Sequence, residues 1–482
     1  MIDPVVLVLL ALGTVGGFAV AGLVLTRGQV RNVEDFITAR NSMGLHTATA
    51  TFIATVMGSW ILFSPAEAGV LWGFPAILGY GIGSAIPLVI YYFIGPRVRR
   101  LAPKGHSVTE LSLARYGPGM YALVLFVTLF YMFIFLAAEL TAISLVFNLL
   151  TGIPFYVPAL LVGLATVAYT AYGGIRASVL TDSLQTLVIL PLMAVAFLGA
   201  TLALGGPEVI YGRIVSTTPD LLRFDSLPGI YFALFVAIAI TGANVFNQGY
   251  WQRFYTSRNE RVLRRGLAVA AFAVIPMVVL AGLFGIVSAG YGLADVPSAA
   301  FFSLVVATFP AWVVLVLFVL VLALIMSTMD SLLNGVASIF AADLPRLGLR
   351  MPSRRLLAVA RVVTLLLALA AIAIASFGFS VLLLFLVADL VCAAAAFPTL
   401  YGLYSGRIEG SAAAAAGVAG IVVGAPLFVL GLVASGPDVA TFFLMSFASA
   451  LGVSVLLTLL LPSRRERYDL RRLAEDIGEI GD

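Results

Sequence analysis

Thirteen apolar stretches, most of them holding the ~20 residues that a bilayer core demands, constrain this 482-residue chain more than any other feature. They lie near residues 5–26, 45–72, 75–95, 119–150, 154–173, 178–203, 228–248, 266–290, 300–342, 356–376, 379–404, 411–434 and 438–461. Hydrocarbon offers no partner to a backbone amide, so such stretches cross as helices. The longer ones must tilt, kink or project. The composition agrees: 62% of residues are hydrophobic and only 10% charged, where soluble domains carry roughly 25%. The first stretch does not read as a cleavable signal, since Asp3 precedes it in place of basic residues.

The basic residues orient the spans. With the N-terminus outside, 25 of the 27 Lys and Arg residues fall in inner loops or the tail, and only Arg213 and Arg223 lie in the long outer loop 204–227. One miscounted span would invert every later loop and destroy this segregation. The expectation is therefore an all-α integral membrane protein with 13 transmembrane helices, N-terminus outside and C-terminus inside, and no Lys or Arg within the membrane. The tail 462–482 is short and charged, a surface helix or disorder. A GxxxxGK[ST] loop is absent, the lone Cys392 rules out a disulfide, and His46 and His106 are too few for a metal cluster. Nothing suggests nucleic acid or an obligate protein partner, and no nucleophile–base set marks an enzyme.

Two spans look interrupted. The second carries Gly58, Ser59 and Pro65, and the seventh carries Gly242, Asn244, Asn247 and Gln248. They open two successive five-span groups, 45–203 and 228–410. An odd number of spans reverses the second group, which is the arithmetic of an inverted repeat. Broken helices at matching positions point to a transporter's midplane site. Residues 1–44 then form a leading helix and inner loop, and 411–461 two trailing helices. Gly and Pro are also ordinary kink residues in membrane helices, which would explain each break singly.

In the ninth span Leu324, Ser327 and Thr328 stand at i, i+3 and i+4 and so share a face. Two hydroxyls beside a carbonyl are what a small hard cation needs in place of water; equally, such hydroxyls bond their own i−4 carbonyls or a neighbouring helix. Glu67, Glu139, Asp182, Asp330 and Asp389 are acids inside spans and functional candidates by default. Glu139, with no basic residue near it in sequence, could be protonated, bond a polar neighbour, face a cavity, or answer a cationic ligand.

Five segments, EDFITARNSMG, AYTAYGGIRASVLTDSLQ, NQGYWQRF, ALIMSTMDSLL and FPTLYGLYSGR, occur in order between about residues 32 and 410. Together they resemble the sodium:solute symporter family of proline, pantothenate and sugar symporters. The resemblance implies a five-plus-five inverted core of the LeuT type with one helix before it and two behind. It implies a sodium ion held by the carbonyls of Ala54, Met57 and Leu324 and the hydroxyls of Ser327 and Thr328, with Asp182 guiding sodium inward. It implies no organic cofactor. Val56 stands where the proline symporters carry an aspartate, and Thr241 and Val245 where their pattern has aromatics, so proline is not carried over as substrate.

The expected function is sodium-coupled import of a small organic solute across the cell membrane by alternating access. Substrate candidates are Gly58, Ser59, Trp60, Glu139, Gly242, Asn244, Asn247 and Asp389. A half-helix N-terminus would suit a carboxylate and Glu139 an amine, so an amino-acid-like solute is favoured. The alternatives are a proton-coupled carrier using Glu139 or Asp389, and a non-transporting sensor on the same fold.

Overall fold

A computed structural model describes residues 2–25, 33–349, 351–461 and 467–478. Arg27, Arg31, Arg350, Arg464 and Arg465 of the expected basic loops, and tail positions 462–466 and 479–482, lie outside these. Among the described residues the chain is helical, with one isolated bridge, Met43 to Ser257, and no strand. In order the helices are α1 (Pro4–Leu25), α2 (Val33–Ile37), α3 (Leu45–Val56), α4 (Trp60–Leu101), α5 (Val108–Tyr116), α6 (Pro118–Thr151), α7 (Tyr156–Ala203), α8 (Pro207–Thr217) and α9 (Leu227–Val245). They continue as α10 (Gln248–Thr256), α11 (Glu260–Gly290), α12 (Ala300–Thr308), α13 (Ala311–Arg346), α14 (Ser353–Ala375), α15 (Val381–Tyr401), α16 (Gly410–Val433), α17 (Asp438–Leu460) and α18 (Leu473–Asp476).

Among the described residues eleven helices are long and apolar enough to cross a membrane, against thirteen expected spans. The difference lies where two expected spans run on as one helix. In α4 the path bends at Gly73 (φ 72°), and in α7 at Gly174 (φ 56°). Both angles fall in the left-handed region that glycine tolerates and a Cβ does not. A side chain at Gly73 would also strike the Leu221 backbone, and one at Gly174 would strike Phe36. The ninth expected span divides instead into α12 and α13 at Phe309–Pro310. Phe309 is extended (φ −107°, ψ 150°), as a residue before proline prefers.

The two expected interruptions are present. Met57, Gly58 and Ser59 separate α3 from α4, and Phe246 and Asn247 separate α9 from α10. Helix α13 runs through the centre: from Leu320 to Ile339 every residue is buried. α4 packs most extensively on α11, with glycines at the points where the two backbones come closest. A Cβ on Gly285 would overlap the Ala66 carbonyl, and one on Gly69 the Gly282 carbonyl. Lipid tails give helices no hydrophobic reason to associate, so close backbone approach supplies the contact.

The end of the bundle that carries the basic loops is closed by an ionic cluster. His106 places Nδ1 3.0 Å from Glu110 Oε1 and Nε2 2.7 Å from Glu34 Oε2. With an acceptor at each nitrogen, the ring is a doubly protonated imidazolium. Arg40 joins Glu34 at 2.6 Å, and Arg346 joins Glu110 at 2.5 Å. Arg346 also donates to the carbonyls of Asp476 and Gly478, and Leu473 and Ile477 are fully buried. This part of the tail is therefore docked, where the sequence suggested a surface helix or disorder.

Burial alone would lower the His106 pKa, but Glu110 and Glu34 outweigh it and raise it to about 9. Glu34 is pushed up by burial and held down more strongly by His106, Arg40 and Thr38, to about 2. The folded state thus binds the His106 proton more tightly than the unfolded chain does. That contribution is complete below the ordinary histidine value of 6.5 and is lost as pH rises toward 9. It amounts to on the order of 3 kcal/mol. The Glu34 contribution is complete above 4.5 and lost as pH falls toward 2. Thermal melting should therefore fall between pH 6.5 and 9 in the wild type and fall less steeply in His106→Gln. Parallel curves would contradict this assignment.

Candidate functional site

The gap between α3 and α4 exposes backbone oxygens that a continuous helix would consume, and α13 crosses directly beside it. Ser327 Oγ lies 3.3 Å from the Ala54 carbonyl and 3.2 Å from that of Leu324, and Thr328 Oγ1 lies 3.2 Å from the Leu324 carbonyl. A well-formed O–H···O bond is about 2.7–2.8 Å, so these contacts are long. A hard cation bound at 2.3–2.6 Å would hold neighbouring oxygens roughly 3.2–3.7 Å apart. The four donors are neutral and buried, which suits a monovalent ion. Met57 is the C-cap of α3, its backbone out of helical conformation (φ −98°, ψ 79°). A Cβ on Gly58 would come within 2.8 Å of Thr328 Oγ1 and would also meet Glu139 Oε1.

Glu139 on α6 is fully buried, and its Oε2 accepts the Ser59 amide at 3.0 Å. It therefore covers the amino end of α4, where unpaired N–H groups and the helix dipole favour an anion. Its Oε1 has no partner.

Behind α13, toward the basic end, lies a buried polar network. Asp182 on α7 accepts from Thr51 at 2.5 Å and from Arg253 Nη2 at 2.6 Å. Arg253 on α10 also donates to Thr51 at 2.7 Å, Ser331 at 2.8 Å and the Gly249 carbonyl at 3.0 Å. Asp330 accepts from Ser178 and Thr181. Arg253 and Asp182 are both fully buried. The sequence reading put Arg253 in an inner loop, whereas the structure buries it in α10, directly after the break that ends α9. The signal was present in QGYWQRF, a short amphipathic helix directly after the break, whose residues are all buried.

A second space opens on the far side of the gap, between the two interruptions. It offers about 50 Å³ to the centres of water-sized molecules and is walled by Trp60, Tyr80, Tyr131, Tyr250 and Phe385. Asn244, Asn247 and Asp389 also reach it. Asp389 is 4% exposed and its Oδ1 has no partner. Of the candidate residues, the structure gathers Trp60, Asn244, Asn247 and Asp389 here. It places Ser59 and Glu139 at the α4 terminus, with Gly58 beside them and Thr328. Gly242, expected in the interruption, lies inside α9, where a Cβ would strike the Ala393 backbone of α15. The wall residues Tyr80, Tyr131 and Phe385 were missed, because no motif marks an aromatic that faces a cavity.

The model of the sodium:solute symporter family matches residues 36–420. A spermidine transporter of Candida albicans is 28% identical over 367 residues, 75% of this chain and 68% of that one. A urea-proton symporter of Oryza sativa subsp. japonica is 25% identical over 250 residues, 45% of this chain and 35% of that one. Among solved structures, a Na+-coupled sialic acid symporter in a substrate-bound outward-open state superposes with a TM-score of 0.71, covering 95% of this chain and 98% of that one at 20% identity. At that identity the likeness is one of fold.

Proposed function

The chain belongs to the sodium:solute symporter family and is a solute transporter rather than an enzyme, and from that premise we propose that it imports a small organic solute across the cell membrane on a sodium gradient. The observation that carries this reading is the convergence of the Ala54 and Leu324 carbonyls with the Ser327 and Thr328 hydroxyls beside a broken helix. Met57 would complete the set with its carbonyl. We count thirteen passes, since Gly73 and Gly174 each divide one long helix in two, and read 45–203 and 228–410 as inverted repeats with the N-terminus outside.

Sodium bound there ties α13 to the α3–α4 break and favours one of the two access states. Solute bound between the interruptions favours the same state, and that shared preference is all that coupling needs. Ser331 lies one turn beyond Thr328 and leads to Asp182, so the inward exit passes the Arg253 cluster. The relatives' names span a polyamine and urea, so relationship alone leaves the solute open. The carboxylate half of the amino-acid-like expectation is weakened, because Glu139 covers the amino end of α4 and the Asn247 side chain accepts the Gly249 amide at that of α10.

Proton coupling is the second reading, favoured by the buried, unpartnered Glu139 Oε1. Uptake of labelled spermidine and urea into proteoliposomes separates the two. Accumulation on an inward sodium gradient, absent when potassium replaces sodium, is expected. Accumulation on a pH gradient regardless of sodium would overturn the sodium reading.

A further inference from the structure

We propose that the cavity between the two interruptions binds the cationic head of a small organic amine, with Asp389 as its counter-ion, and that the substrate carries no carboxylate. This rests on the transporter reading above and adds the chemical class of the solute.

Asp389 is the only acid among the residues that line the cavity, and no Lys, Arg or His lines it. Among the described residues none forms an ion pair with Asp389, and its Oδ1 is buried without a partner. A carboxylate removed from water in that way is costly until a cation meets it. The wall supplies the rest of a cation's surroundings. Trp60 stacks on Tyr80 with ring centres 5.7 Å apart, and Phe385 meets Phe135 edge to face at 4.8 Å. Tyr131 and Tyr250 face the same space. Aromatic faces attract an ammonium group, most strongly where water is excluded.

The dimensions agree with a small head group. The cavity leaves about 50 Å³ to the centres of water-sized molecules, room beyond a single water and enough to seat a small ammonium head. The absence of a carboxylate is inferred from the two half-helix termini: at α10 the Asn247 side chain already accepts the Gly249 amide. The amino end of α4 would be the natural seat for a substrate anion, but the chain's own acid already accepts the Ser59 amide there. A carboxylate in the cavity would meet Asp389 with no Lys, Arg or His among the lining residues to compensate.

Thermal unfolding of the purified full-length protein tests this. Putrescine, propylammonium, γ-aminobutyrate and butyramide are each titrated in sodium and in potassium, for the wild type and Asp389→Asn. Putrescine and propylammonium are expected to stabilise the wild type saturably, and the zwitterion and the neutral amide are not. In Asp389→Asn the amine affinity should fall at least about 30-fold. Its stabilisation by sodium should persist, which shows that the variant is folded. No amine effect in the wild type would overturn the proposal, as would an equal effect in Asp389→Asn, or γ-aminobutyrate or butyramide matching putrescine. An amine effect without any sodium effect would support the cation cavity while removing the sodium reading, so the two fail separately.

Discussion

Arg253→Met is expected to destabilise the protein by about 3–5 kcal/mol, the cost of breaking a buried ion pair from one side. The guanidinium donates to Asp182, Thr51, Ser331 and Gly249 at once. It thereby joins α10 to α3, α7 and α13 where none of these groups reaches water. Removing it strands the Asp182 carboxylate, whose Oδ1 already lacks a partner. Asp182→Asn in the same background removes that stranded charge, so the double variant should lose markedly less than the sum of the two single losses. Additive losses in thermal unfolding would mean that the two side chains do not act as a pair.

Gly58→Ala should cut sodium affinity by roughly 5- to 150-fold, the equivalent of about 1–3 kcal/mol of overpacking. The new methyl would come within 2.8 Å of both Thr328 Oγ1 and Trp60 Cδ1. One of these is a proposed sodium donor and the other belongs to the cavity wall, so a single atom disturbs both halves of the site. Gly152→Ala offers a contrast: its left-handed φ of 78° makes it strained, but nothing lies within 4 Å of a Cβ there. It should lower stability without changing sodium affinity. Equal sodium affinity in Gly58→Ala and the wild type would show that the gap is not part of the cation site.

Several features were legible in the sequence because they depend on local periodicity. Ser327 and Thr328 share a face with Leu324 by helical spacing alone, and that face does meet Ala54. The gaps after Val56 and Val245 follow from residues that leave helices easily. Other features depend on how helices rotate and dock. Glu139 and Asp389 are both acids in apolar spans, and only the packing of α6 and α15 turns one toward a helix terminus and the other into a cavity. Arg253 looked like a loop residue because charge counting follows the order of the chain, whereas α10 folds back into the interior. Gly73 and Gly174 are two of 46 glycines, and nothing local distinguishes them from the rest. Their role appears only when the path between two expected spans is seen to continue through a bend.

Thermal unfolding titrated with sodium against potassium, in the wild type and Thr328→Ala, tests the proposed sodium site. A ligand that binds only the folded state stabilises it by mass action, about 2.7 kcal/mol at a concentration 100 times its Kd. A saturable, sodium-selective rise in the wild type that Thr328→Ala loses is the predicted result. Indistinguishable curves in sodium and potassium for the wild type, or an undiminished rise in Thr328→Ala, would contradict the account.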